Sequence, residues 1–182
     1  FGRTGQAFAA QSFGVTPDLM TMAKALTNGA QPMGAVAASV KVYDTIVNAA
    51  PEGAIELFHG YTYSAHPAAC AAGIATIEIY ERERLFERAA ALSEYFLDSV
   101  FALSDLPVVT DIRGYGLLAG IDIAPMGGKP GVRGLDATKR LWNAGLHIKF
   151  TGDSGIVSPP LVADRGHVDE ICSKLRKVLG QY

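Results

Sequence analysis

Apolar residues recur along this chain with two different periods. Leu85, Ala89, Leu92, Phe96, Val100 and Leu103 follow one another at spacings of four and three. That is the stripe of an amphipathic helix. The helical pattern begins earlier, at His66-Pro67, where a proline in the first helical position loses no hydrogen bond. One break is expected in the charged stretch Glu81-Arg82-Glu83-Arg84, and Pro107 ends the element. A second helix is predicted over 135–144, stopped by Gly145 as its C-terminal cap. A third has Val168, Ile171, Cys172, Leu175, Val178 and Leu179 on one face. Residues 108–112 and 117–123 have strand character around the Gly114-Tyr115-Gly116 bend. So do 147–150 and 156–158, separated by residues 151–155. Residues 125–131 form a Gly/Pro loop. The resulting order ββαββα predicts a small compact α/β domain from about 104 to 182.

The first part of the chain is patterned differently. Residues 17–24 are expected to be a short strand entering a loop, which Gly29, Pro32 and Gly34 keep irregular. Residues 35–39 are a run of small apolar residues of strand length, expected to be buried on both faces. A short helix is predicted over 42–50, and Pro51-Glu52-Gly53 is a turn.

Composition sharpens this picture. The 182 residues are 49% hydrophobic and 19% charged, which suits a packed core and excludes wholesale disorder. A net charge of −2 argues against a binder of nucleic-acid backbones. No run approaches the roughly 18 to 20 apolar residues of a membrane span. Two cysteines make neither a disulfide scaffold nor a zinc pattern, so a reduced, cytoplasmic setting is expected. The charge is unevenly spread. Residues 1–80 hold three basic side chains (Arg3, Lys24, Lys41) and five acidic ones, whereas 81–182 hold thirteen of each sign. A self-sufficient surface carries more charge than the first half does. The chain also opens on Phe1, and its first methionine is Met20. The expectation is a piece of something longer, whose first half lies in the interior or at an interface of a larger assembly.

Two places could carry chemistry. Lys24 sits among Met22, Ala23, Ala25 and Leu26. A lysine desolvated by such neighbours becomes a neutral nucleophile toward carbonyls; the alternative is a snorkelling lysine with a wet head. The second place is Phe58-His59-Gly60-Tyr61-Thr62-Tyr63-Ser64-Ala65-His66-Pro67, where hydroxyls and N–H groups just before a helix could meet an anion. Its alternative is a capped loop, with Ser64 or His66 satisfying the first N–H groups of the helix. His59 and His66 have no acidic or thiol companions, so no metal site is expected. Cys70, between alanines, suits a small core residue. Gly114-Tyr115-Gly116 runs from strand into strand and is no dinucleotide turn.

Taken in order, several blocks resemble the class III pyridoxal-phosphate (PLP) aminotransferases. They are Phe1-Gly2-Arg3-Thr4-Gly5, Gly14-Val15-Thr16-Pro17-Asp18-Leu19 leading to Met22-Ala23-Lys24, Pro32-Met33-Gly34-Ala35-Val36, and Leu57 through Ser64 with His66-Pro67 and Cys70-Ala71-Ala72. Asp111-Ile112-Arg113-Gly114 and Gly152-Asp153 followed by Ser158-Pro159-Pro160-Leu161 complete the set. The stretch from Glu56 to Pro67, and Gln31 to Gly34, look most like the ω-amino acid:pyruvate (β-alanine:pyruvate) branch. The resemblance covers only the C-terminal portion of that family. It implies an α/β fold of fold type I: residues 1–75 as the tail of the large PLP-binding domain with its mostly parallel sheet, 76–103 as linking helices, and 104–182 as the small C-terminal domain. It also implies that Lys24 is the Schiff-base lysine and PLP the electron sink. Thr62 would reach across a homodimer interface to the phosphate of the partner's cofactor.

Lys149 departs from the family, which usually has an arginine there to grip the substrate carboxylate; a lysine is a point charge without the planar fork. Substrate binding by Lys149 and a plain solvated strand residue stand as near-equal readings. The function implied is transfer of an amino group from an ω-amino acid or amine to pyruvate. A PLP aminomutase or racemase of the same fold, or a non-catalytic remnant, are the alternatives. The aspartate that pairs with the pyridine nitrogen precedes the Phe1 block in the family, so this chain alone is expected not to transaminate.

Overall fold

The structure, a computed structural model, describes residues 1–55, 57 and 59–182. Glu56 and Phe58, both part of the loop motif above, lie outside the described residues. The contacts divide the chain into two units. One holds Phe1 and Ala10–Arg84, the other Gly2–Ala9 and Leu85–Tyr182.

A four-residue helix, α1 (Ala9–Ser12), opens where the first unit resumes at Ala10 and leads to β1 (Leu19–Ala23). β1 pairs with β2 (Gly34–Ala38) in an antiparallel register running from Leu19 opposite Ala38 to Ala23 opposite Gly34. The resemblance implies a mostly parallel sheet for the large domain as a whole, and this one pair is antiparallel. The connection between them, ten residues without a helix, returns the chain directly alongside itself, whereas a parallel crossover needs a longer excursion. The expected burial of β2 on both faces is corrected. Met20, Met22 and Ala35 are half-buried, but Val36 is 66% exposed. Small apolar residues signal compatibility with burial, and a two-stranded ladder lacks the neighbours that would supply it. Ser39 then starts α2 (Val40–Ala49), accepting from the Val42 N–H at 3.4 Å. The helix α3 (Pro67–Arg82) follows with Pro67 at its first turn. His66 makes no side-chain cap bond, so the capping role considered for it is not observed.

The second unit is a two-layer α/β sandwich. The break predicted in 81–84 is real: α3 ends at Arg82, Arg84 has φ of 50°, and α4 (Leu85–Phe101) begins afresh. A 3₁₀ turn, Ala102–Asp105, follows it. The strands β3 (Val109–Tyr115) and β4 (Leu118–Ile123) form a hairpin. Next come α5 (Val132–Asn143), β5 (Lys149–Thr151), β6 (Ser154–Val157) and α6 (Arg165–Leu179). All four strands are antiparallel, in the order β3-β4-β6-β5. The helix α5 starts three residues before the predicted position because its N-terminus is capped from outside by Asp153, a signal invisible in the local sequence. The loop between β5 and β6 shrinks to Gly152-Asp153, so Thr151, Ser154 and Gly155 belong to the ladder.

Every residue of the predicted α4 stripe is buried, Phe96 and Val100 completely. Ala89, Leu92, Phe96, Val100 and Leu103 pack with Ile112, Ile121 and Val157 from the sheet, Leu141 from α5 and Leu175 from α6 in one core. The opposite sheet face carries a charged cluster beside the exposed Tyr115, Leu118 and Ile156. There Arg113 donates to Asp111 at 3.0 Å, to Asp122 at 2.7 Å and to Ser154 at 3.1 Å. The Arg113 guanidinium, aided by the Ser154 hydroxyl, holds the Asp122 carboxyl below its usual range.

The segment Gly2–Ala9 is held against this sandwich by backbone. Leu117 N donates to the Arg3 carbonyl at 2.7 Å, and the Arg3 guanidinium donates to the Pro159 carbonyl. Gly116, φ 62°, makes this approach possible, since a Cβ there would overlap the Arg3 carbonyl oxygen. Gly116→Ala therefore combines a left-handed backbone with a steric overlap. It is expected to destabilise the protein by more than about 1 kcal/mol. Urea unfolding measures this, and an unchanged midpoint would contradict it.

Candidate active site

Lys24 is the first residue after β1. It has φ of 54°, a left-handed conformation uncommon for a non-glycine residue. The loop it opens is tightly fastened. Thr27 N and Gly29 N both point to the Lys24 carbonyl, at 3.3 and 3.2 Å. The buried Thr27 hydroxyl donates to the Gln31 carbonyl at 2.5 Å, closing the loop on itself. Tyr80 on α3 donates to the Ala25 carbonyl at 2.7 Å, and burial pushes its hydroxyl above the ordinary range. Gly73 on α3 has only the Leu26 carbonyl and the Met33 sulfur near where a Cβ would sit, at 3.5 and 3.6 Å, so helix and loop lie close. The Lys24 side chain itself is exposed, and its ammonium has no hydrogen-bond or ion-pair partner among the described residues.

The strand partner of Ala23 is Gly34, and Gly34 forms one wall of an open cleft of about 780 Å³. The cleft is lined by residues 31–34 on one side and 60–66 on the other. Thr62 and Ser64 are exposed there. The loop is a succession of tight turns: Tyr61 N donates to His59 O at 3.0 Å, Thr62 N to Gly60 O at 2.9 Å and Ser64 N to Tyr61 O at 3.0 Å. The rings of His59 and Tyr61 pack with centroids 4.3 Å apart. The structure thus brings the Pro32-Met33-Gly34 block to the Thr62 loop. Lys24 does not line this cleft.

Lys149 belongs to the second unit, as the exposed first residue of β5. It lines a cavity of about 390 Å³ between α5 and β5, with Leu135, Thr138, His147 and Phe150. Trp142 meets the His147 ring edge-on at 5.4 Å. Cys172 is half-buried, and burial with Asp169 nearby pushes its thiol up to about 11, which leaves it unreactive. Among the described residues no group of three or more His, Cys, Asp or Glu side chains is placed to hold a metal ion. No described helix is long and apolar enough to cross a membrane.

The sequence profile of the aminotransferase class-III family matches residues 1–179. The chain belongs to the class III aminotransferases. This aminotransferase chain is 51% identical over 181 residues to an omega-aminotransferase of Caulobacter vibrioides, covering 100% of itself and 41% of that protein. It is 46% identical to a beta-alanine–pyruvate aminotransferase of Pseudomonas aeruginosa, covering 98% of itself and 40% of the relative. Among solved structures, the omega transaminase of Pseudomonas jessenii in complex with PMP superimposes with a TM-score of 0.87 at 30% identity, over 100% of this chain and 41% of that one. The aminotransferase chain thus spans about two fifths of the length of the curated relatives it matches.

Within this aminotransferase chain, Thr27 and Tyr80 are the residues that sequence reading missed. Both fix the backbone that carries Lys24. Thr27 is an ordinary loop threonine in sequence, and Tyr80 lies 55 positions from the carbonyl it holds. No local pattern announces such a bond; only the return of α3 onto the loop creates it.

Proposed function

We propose that this chain supplies active-site residues of a PLP-dependent aminotransferase, which moves an amino group from an ω-amino acid or amine to pyruvate in a cytoplasmic setting. The observation that carries this reading is the likeness to omega-amino acid and beta-alanine–pyruvate aminotransferases along the whole chain, with Lys24 presented on a fastened loop.

The residues present fit the cofactor. Its aldehyde calls for a primary amine, and Lys24 offers an exposed one without a competing partner among the described residues. Its phosphate calls for hydroxyl and N–H donors, and Thr62 and Ser64 offer hydroxyls in the cleft. When bound, PLP supplies an electron-withdrawing ring that makes the proton on the amine-bearing substrate carbon removable. The Lys24 Nζ is the base that accepts this proton. The Thr62 hydroxyl donates to a phosphate oxygen. Lys149 attracts the substrate carboxylate by charge.

As the family resemblance implies, we assign Thr62 to the site of a second copy in a homodimer. The charge-poor first unit agrees, since Val36, Tyr43 and Ile74 are 66%, 63% and 59% exposed. In the same reading residues 1–75 close the large domain, 76–103 link, and 104–182 form the small domain.

Alanine formation from pyruvate and an ω-amino acid, followed against PLP concentration on the complete enzyme, tests the proposal. The PLP concentration for half-maximal rate is expected to rise about 10–100-fold in Thr62→Ala, the worth of a hydrogen bond to a charged group. No alanine from the unaltered enzyme at any PLP concentration would overturn the function. An unchanged PLP dependence in Thr62→Ala would remove that residue from the phosphate site.

A further inference from the structure

The strand β5 has only three residues and pairs on one side only, with β6. So short an edge strand is weakly held by its own ladder. Lys149 is its first residue, and what fixes the strand lies at its other end. The Gly152-Asp153 turn places a carboxylate at the start of α5. Asp153 Oδ2 accepts from Gly131 N at 2.7 Å and Oδ1 from Gly134 N at 2.8 Å. These N–H groups have no acceptor within the first helical turn, and the carboxylate also faces the positive end of the helix. The helix has no capping side chain of its own, because its N-cap position is Gly131 at φ 83°.

Two glycines complete the joint. A Cβ on Gly134 would overlap the Gly152 carbonyl oxygen, so only glycine lets α5 approach the turn this closely. A Cβ on Gly155 would lie 2.7 Å from the Phe150 Cζ, so the Phe150 ring occupies the space that Gly155 leaves open. The carboxylate and the missing methyl of Gly134 therefore set the turn at the end of β5 against α5, and the missing methyl of Gly155 seats Phe150 of β5 against β6. The cavity beside Lys149 is bounded by α5 and β5.

We propose that Asp153 is a positioning residue that sets carboxylate selectivity through Lys149. The proposal rests on the reading of Lys149 as the group that attracts the substrate carboxylate. An arginine fork carries its geometry in its own plane, whereas an ammonium on a flexible stem does not. With lysine, the selectivity for a carboxylate depends on where the backbone fixes the stem, and here Asp153 fixes it. A displacement of the order of 1 Å from productive geometry is enough to cost about 10²-fold in rate.

The test compares pyruvate with a small aldehyde of similar size that lacks the carboxylate, as amino acceptors of the complete PLP-loaded enzyme. In Asp153→Asn one of the two backbone bonds is lost. The KM for pyruvate is expected to rise about tenfold more than the KM for the aldehyde. Amide exchange over residues 147–151 should quicken alongside. In a Lys149→Met background the same substitution should no longer change the ratio of the two KM values. Gly134→Ala, which keeps the carboxylate but pushes the turn away, is expected to act as Asp153→Asn does and replaces it should that variant fail to fold. Equal changes in both KM values, or a ratio still shifted by Asp153→Asn in the Lys149→Met background, would reduce Asp153 to a structural cap and overturn the proposal. If Lys149→Met by itself leaves the ratio unchanged, the reading of Lys149 fails and the proposal goes with it.

Discussion

Lys24→Ala is expected to lower the rate of alanine formation by at least about 10³-fold, because in the proposed function one side chain supplies both the attachment amine and the proton-transferring base. Lys24→Arg is expected to fall as far. Arginine keeps the positive charge and most of the length, but its guanidinium stays protonated at any working pH. It can neither condense with an aldehyde nor accept a proton. The comparison separates charge from chemistry. If Lys24→Arg kept more than about a tenth of the activity, Lys24 would be an electrostatic residue and the proposed mechanism would be wrong. The loop should survive either change, since Thr27, Tyr80 and the backbone bonds to the Lys24 carbonyl hold it independently of the side chain. Loss of activity should therefore come with an unaltered circular dichroism spectrum, and a collapsed spectrum would instead point to a structural role.

Phe96→Ala is expected to destabilise the second unit by about 3–5 kcal/mol, the range for emptying an aromatic position in a rigid core. Phe96 is 0% exposed and sits in the middle of the α4 stripe, among residues contributed by the sheet, α5 and α6. Urea unfolding followed by far-ultraviolet circular dichroism would read the change. A loss under about 1 kcal/mol would mean that the core around α4 repacks freely, contrary to its burial. Since domains are stable by only about 5–15 kcal/mol, the substitution should remove a large share of the margin.

These two residues stand for two kinds of legibility. The burial of Phe96 follows from the spacing of Leu85, Ala89, Leu92, Phe96, Val100 and Leu103, because a helix turns every 3.6 residues and one face must meet the core. The ββαββα order of the second unit was legible for the same reason: periods of two and of 3.6 are properties of the local backbone. Lys24, by contrast, gained its meaning from motifs that the comparison with class III aminotransferases bears out at the level of family. Its immediate neighbours in sequence left a desolvated amine and a snorkelling lysine with a wet head both open, and its side chain is exposed.

What the sequence by itself determined is the order of elements in the second unit, the α4 and α6 core faces, the breaks at 81–84 and at Gly145, and membership of the family. These depend on residues within a few turns of one another or on ordered motifs. The tertiary structure alone decided the antiparallel pairing of β1 with β2, the Tyr80 bond that fastens the Lys24 loop, and the Asp153 cap that begins α5 three residues early. It also decided that Gly116 must be glycine, because the Arg3 carbonyl comes to rest where a side chain would stand. Each of these joins groups far apart in the chain. A hydrogen bond or a steric limit between such groups exists only once the fold has brought them within about 3 Å, and no window of local sequence contains both partners.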